Sequence, residues 1–186
     1  INAHDKEISR NVFKLFPHSD LNGHWIELTA AKMKYLGLLE QKDEFLPQKD
    51  VTKAELAFYL DRILSAYETQ EEMVGTENVA LDAIDVDDTT KYRESIERLI
   101  QKGVFNVDNR QFLPDEKVTR AMAVTAIMRF NQFVDVPKRE LDATLFPFID
   151  IRSIHWAKNH IKKAVFYKLV TPSKRFYPSK NIKKFI

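Results

Sequence analysis

The chain has 186 residues, with 29 basic and 27 acidic side chains giving a formal net charge of +2, no cysteine, four glycines and 44% apolar residues. Such balanced charge excludes the electrostatic footprint of a nucleic-acid or anionic-membrane binder. The missing thiols exclude cysteine catalysis, disulfides and zinc–thiolate sites. The thirteen Phe specify a folded chain, and so few glycines leave little scope for phosphate-cradling loops. No apolar run approaches the length of a membrane span. A chain that opens on Ile1 reads as mature or trimmed, which neither shows nor denies export.

In chain order, the first predicted element is a helix over residues 2–15, with Asn2 as its cap and Ile8, Val12, Phe13 and Leu15 as its apolar side. A first unit follows at 16–64. It opens on Asp20-Leu21 and His24-Trp25, then continues as a helix with Trp25, Leu28, Met33 and Leu36 on one face and a stop at Gly37. A polar loop leads to Phe45-Leu46-Pro47, where the proline breaks any helix and sets an extended segment. Thr52 and Glu55 then form a capping box for a second helix carrying Leu56, Ala57, Phe58, Leu60, Ile63 and Leu64. A helix apolar on most sides belongs inside a bundle.

After a polar connector at about 65–82, a second unit at 82–130 repeats this order. Asp85-Val86 precedes a stripe of Tyr92, Ile96, Leu99 and Ile100 that ends at Gly103. Phe112-Leu113-Pro114 and Thr119 follow, but Met122 removes the capping box before the helix of Ala121, Ala123, Val124, Ile127, Met128 and Phe130. A third unit, 146–186, has Asp150-Ile151, His155-Trp156, a stripe of Ala157, Ile161, Ala164 and Val165, and Phe176-Tyr177-Pro178. It reaches Ile186 where its inner helix is due. Residues 2–15 are expected to close the bundle in that helix's place; the alternative is a fragment. Aligned without a gap, Trp25, Tyr92 and Trp156 each lie 20 residues before the Phe of Phe-x-Pro.

These residues together resemble the S-layer homology (SLH) domain, the best matches being DLNGHW (20–25), VTKAEL (51–56), VTRAMA (118–123) and DIRSIHWA (150–157). The resemblance implies an all-α, mostly helical fold: a pseudo-threefold, three-pronged spindle around a central helix bundle. It also implies an exported bacterial protein held non-covalently to the cell envelope. The implied partner is a cell-wall polysaccharide, commonly pyruvylated, or a peptidoglycan-linked polymer, bound in grooves between prongs, with no catalysis and no cofactor. Envelope proteins are the alternative partner, for a docking module that has lost glycan binding. The chain departs from the family in lacking glycine in the loops before Phe-x-Pro and in spelling its basic signature Thr-Lys-Ala-Glu, Thr-Arg-Ala-Met and Lys-Lys-Phe-Ile.

The candidate ligand residues follow from chemistry at those positions. A carboxylate-bearing polymer suits a cation beside a helix N-terminus, where N–H groups and dipole favour anions. Arg120 can grip a carboxylate through two parallel hydrogen bonds, whereas Lys53 and Lys184 at the matching positions offer point charges. Glu55, next to Lys53, is first of all a capping residue. Trp25 and Trp156 open helices and are expected in the core, although flat indole faces also suit sugar rings. His24 and His155 read as structural hydrogen-bonding residues. The five His show no ligand spacing and the acidic run DAIDVDD (82–88) lacks the EF-hand glycine, so no metal site is expected.

Overall fold

The structure, a computed structural model, describes residues 17–67, 83–131 and 136–184. The predicted helix over 2–15 lies outside them. Among the described residues there are six α-helices and no strands: α1 (Glu27–Tyr35), α2 (Lys53–Tyr67), α3 (Arg93–Gln101), α4 (Arg120–Phe130), α5 (Lys138–Ala143) and α6 (Lys158–Phe166). The expected all-α class is what is found. Helix α5, with Pro137 at its N-cap, falls between the second and third expected units, where no helix is expected.

The outer helices α1, α3 and α6 end alike. Gly37, Gly103 and Lys168 all have left-handed backbone, with φ of 71°, 71° and 60°. Each donates its N–H three residues back, to Lys34, Ile100 and Val165, and the next residue donates to the carbonyl of Met33, Leu99 or Ala164. This double bond pattern satisfies carbonyls that a helix end leaves open. The shared caps also correct the ungapped alignment. From cap to Phe is eight residues in the first and third segments but nine in the second. Counted from the caps, Tyr92 therefore corresponds to Ile26 and Ala157, and Lys91 to the two tryptophans. In that register Ala30, Ile96 and Ile161 coincide, and all three are 0% exposed.

One carboxylate repeats with equal regularity. Asp20 accepts the N–H groups of Phe45 and Leu46 at 2.8 and 2.7 Å. Asp85 does the same for Phe112 and Leu113, and Asp150 for Phe176 and Tyr177, at the same distances. Leu46, Leu113 and Tyr177 have φ near 60°, so the residue before each proline is left-handed and not extended as the sequence suggests. Left-handed backbone costs a non-glycine residue roughly 1–2 kcal/mol. Two charge-assisted bonds to one carboxylate are what hold it there. The same pincer drives Phe45, Phe112 and Phe176 into the core, where each is buried.

The segments are joined by a ring of backbone hydrogen bonds. Val51 N–H donates to Ile182 at 3.1 Å, Ile182 N–H to Val118 at 2.9 Å, and Val118 N–H to Val51 at 2.8 Å. Asp50 reinforces this meeting point, pairing with Lys183 and, at 3.1 Å, with Lys117. Helix packing pairs α2 with α3 and α4 with α6. Thus each inner helix lies against the outer helix of the following segment. The α2–α3 cluster also takes in Ala123 and Ala126 of α4, with Ile182 packed on it. A second cluster joins Ala121 and Met128 of α4 to Phe148, Ile161 and Phe176.

Two predictions follow from these local geometries. Burial works to raise the Asp20, Asp85 and Asp150 carboxyls, but the backbone N–H bonds outweigh it and hold all three below the ordinary range. Lys183 and Lys117 hold Asp50 down at about 2. Because these folded-state values lie below the unfolded one, their stabilisation is complete above about pH 5 and is lost as pH falls through 4 toward 2. Asp85→Ala is expected to cost about 2 kcal/mol at neutral pH and to flatten that acid transition, as read by urea melts across pH. Conversely, exposed Lys168 with its positive φ should gain from glycine: Lys168→Gly is expected to add about 0.5–1 kcal/mol, seen as a higher thermal midpoint.

Candidate functional site

The N-termini of the inner helices do not present free N–H groups. Lys53 and Ala54 donate to the carbonyls of Glu116 and Pro114 at 2.9 and 3.0 Å, and Arg120 and Ala121 donate to Lys180 and Pro178 at 2.8 and 3.1 Å. Lys184 N–H turns back to Lys49 at 3.3 Å. Each helix start is therefore capped by the turn of the next segment in cyclic order. The capping box is formed as read, with Glu55 N–H donating to Thr52 Oγ1 at 3.2 Å and Thr52 N–H to Glu55 at 3.1 Å. Thr119 alone caps Met122. With these donors consumed, a helix-terminus anion site is ruled out for α2 and α4. What remains is the side chain at each first helical position.

Those side chains are held by the same cyclic relation. Lys53 Nζ lies 4.6 Å from the centre of the Phe112 ring, the Arg120 guanidinium 4.9 Å from Phe176, and Lys184 Nζ 6.0 Å from Phe45. A cation over an aromatic face keeps its position without losing its charge. Each one overlooks a groove between two segments. Groove A, about 520 Å³, runs beside Lys53 and is lined by the loop 104–113, by α4 and by Trp156. Groove B, about 340 Å³, holds Arg120, Lys183 and Lys184 among Leu56, Val124, Ile127 and Val170. Groove C, beside Lys184, is reduced to about 20 Å³.

One sequence difference contributes to the narrowness of groove C. Tyr59 stands seven residues past Thr52, as Ala126 stands seven past Thr119, and its ring lines groove C. Burial, then the nearby Glu55 charge, pushes its hydroxyl pKa upward, so it stays neutral. Buried His18 sits on the same wall, and burial together with Lys34 lowers its pKa. Burial also lowers the pKa of Lys184, opposed by Glu55 at 3.9 Å. A larger cavity of about 790 Å³ lies between α2 and α3. Its charged lining is largely committed to internal pairs, with Asp61 accepting from Arg98 and Ser95, both at 2.8 Å.

The expected ligand residues are thus sorted by the fold. Arg120 and Lys184 meet in groove B, and Lys53 and Trp156 meet in groove A. Glu55 is buried and engaged by Thr52, Lys49 and Lys184. Trp25 stacks on His24 and lines none of these grooves. The expectation of core tryptophans is overturned: Trp25 is 73% and Trp156 61% exposed. The residue after each, Ile26 or Ala157, takes the buried place. His24 and His155 fix that turn, their Nδ1 accepting N–H from Ile26 and Ala157 at 3.3 and 3.1 Å. Thr125 and Arg129 of groove A were missed. A lone threonine within the apolar run AMAVTAIM was the available signal.

Comparison with known proteins places these grooves and interlocked helical segments beside a known family. Residues 85–123 match the model of the S-layer homology domain. The chain is also 25% identical, over 171 residues, to an amylopullulanase of Thermoanaerobacterium thermosulfurigenes, covering 88% of this chain but only 8% of the relative. The S-layer homology domain is a non-catalytic module that generally anchors proteins to the cell wall, and proteins bearing it are typically exported and attached at the cell surface. Among the described residues no helix is long and apolar enough to cross a membrane.

The placement of the tryptophans is directly testable. Intrinsic fluorescence should show solvent-exposed emission that acrylamide quenches readily, and Trp156→Phe should leave the thermal midpoint nearly unchanged. A blue-shifted, protected emission would instead return both rings to the core.

Proposed function

We propose that the chain anchors an exported protein to the cell envelope by binding an acidic wall polysaccharide or peptidoglycan-linked polymer, with groove B as the principal site. In this reading the three segments, at about 16–64, 82–130 and 146–186, are copies of one S-layer homology unit in a pseudo-threefold spindle. The recurrent Asp pincers and the closed ring of backbone bonds support that arrangement.

One observation carries the ligand assignment. Among the described residues, groove B is lined by Arg120, Lys183 and Lys184 and by no acidic side chain. Lys183 pairs with Asp50, and Lys184 lies near Glu55. The Arg120 guanidinium has no carboxylate partner among the described residues and rests, half-buried, on Phe176. A half-buried guanidinium beside apolar walls suits a carboxylate carried on a sugar, which brings both a charge for the fork and an apolar ring face. Lys53 and Trp156 extend the surface into groove A. The Arg120 guanidinium, without an acid among the described residues, favours this reading over an apolar docking face for another protein.

The test is sedimentation with purified wall sacculi, before and after extraction of the secondary polymer. The native chain is expected to bind only polymer-bearing sacculi, and Arg120→Ala to weaken that binding about 10- to 100-fold. Binding unchanged by the substitution would move the site elsewhere, and no binding to either preparation would overturn the anchoring role.

A further inference from the structure

Groove A differs from groove B in its chemistry, and one buried atom shows how. Thr125 is only 4% exposed, and its hydroxyl has no hydrogen-bond partner among the described residues. Helical threonines ordinarily back-bond to a carbonyl one turn earlier, yet this one does not reach Ala121. It shares the groove-lining face of α4 with Met122 and Arg129. Nor does the fold require a polar group at this place. Phe58, six residues past Thr52 as Thr125 is six past Thr119, is buried there in the first segment and stacks on Tyr92 at 4.5 Å. An orphaned hydroxyl beside a cavity of about 520 Å³ costs free energy until a ligand satisfies it.

The charges around it cancel. Lys53 and Arg129 line the groove against Asp108 and Glu116. Lys53 already pairs with Glu116 at 3.4 Å, and Arg129 donates to Asn106 at 3.1 Å. A carboxylate entering here would compete with groups that are in place, whereas a hydroxyl can both donate and accept among the amides of Asn106 and Gln111. Trp156, 61% exposed at the rim, offers a flat apolar face for a sugar ring.

We infer that groove A is a second subsite, taking an uncharged, hydroxyl-bearing sugar whose buried hydroxyl is read by Thr125. This rests on the glycan-anchoring reading and adds to it that neighbouring grooves recognise different units, one neutral and one acidic.

The experiment is calorimetric titration with purified wall polysaccharide, both as isolated and after reduction of its carboxyl groups to alcohols. The native chain is expected to bind the reduced, neutral polymer, Thr125→Ser to retain that binding, and Thr125→Val to weaken it about five-fold or more. Removing an orphaned buried hydroxyl should leave the thermal midpoint of Thr125→Val unchanged or raised, which a structural role for the hydroxyl would not. If Thr125→Val binds the reduced polymer as the native chain does, or lowers the midpoint by several degrees, the inference is overturned. Binding of the unreduced polymer alone would remove the neutral subsite and leave the anchoring role intact. Failure to bind either form would remove both.

Discussion

Three backbone hydrogen bonds, from Val51 to Ile182 to Val118 and back to Val51, are the constraint on which the architecture depends. Val51 and Val118 are buried, so water cannot replace a missing partner. Loss of any one segment orphans a donor and an acceptor at once, and each that stays buried costs about 1–3 kcal/mol. Because every member donates to one neighbour and accepts from the other, no pair of segments can satisfy the ring. The helix caps follow the same order. The N–H groups that start α2 and α4 are met by carbonyls of the next segment's turn, and Lys184 turns back to Lys49. Secondary structure within one segment thus depends on tertiary contact with another.

That dependence explains why grooves form where they do. The turn that caps a helix must approach it through the Asp pincer and the left-handed residue before proline, and this brings the buried Phe beneath the first helical side chain. Lys53 over Phe112, Arg120 over Phe176 and Lys184 over Phe45 are consequences of that approach. A cation is therefore placed at every junction by the backbone before any ligand is considered. Its freedom to act then depends on its neighbours. Glu116 engages Lys53, and Glu55 lies near Lys184. Arg120 has no such acid among the described residues.

The pattern of the fold was legible because it rests on spacing. The helix stops at Gly37 and Gly103, the capping box of Thr52 and Glu55, and the recurrent Asp and Phe-x-Pro all rest on local chemistry that a sequence displays. What stayed hidden was non-local. Nothing adjacent to Asp85 says that its partners are the N–H groups of Phe112 and Leu113, or that the latter takes positive φ. An ungapped alignment pairs Tyr92 with two tryptophans, and one extra loop residue in the second segment breaks that pairing. Trp25 and Trp156 were misplaced because size argues for burial, while the turn fixed by His24 and His155 gives the buried place to the next residue.

The grooves diverge because the ring and the pincers hold the backbone regardless of what lines the space between segments. Tyr59 in place of Ala126 narrows one groove while the ring of backbone bonds stays intact. Thr125 in place of Phe58 trades a stacked core aromatic for an unsatisfied hydroxyl at the wall of another. Where backbone hydrogen bonds and buried Phe side chains carry the assembly, side chains on the groove faces of α2 and α4 are free to vary at modest cost to stability. Such variation changes recognition first. A chain of this kind can keep its interlock while its junctions come to differ in charge, volume and ligand, and in this one charge and volume already do.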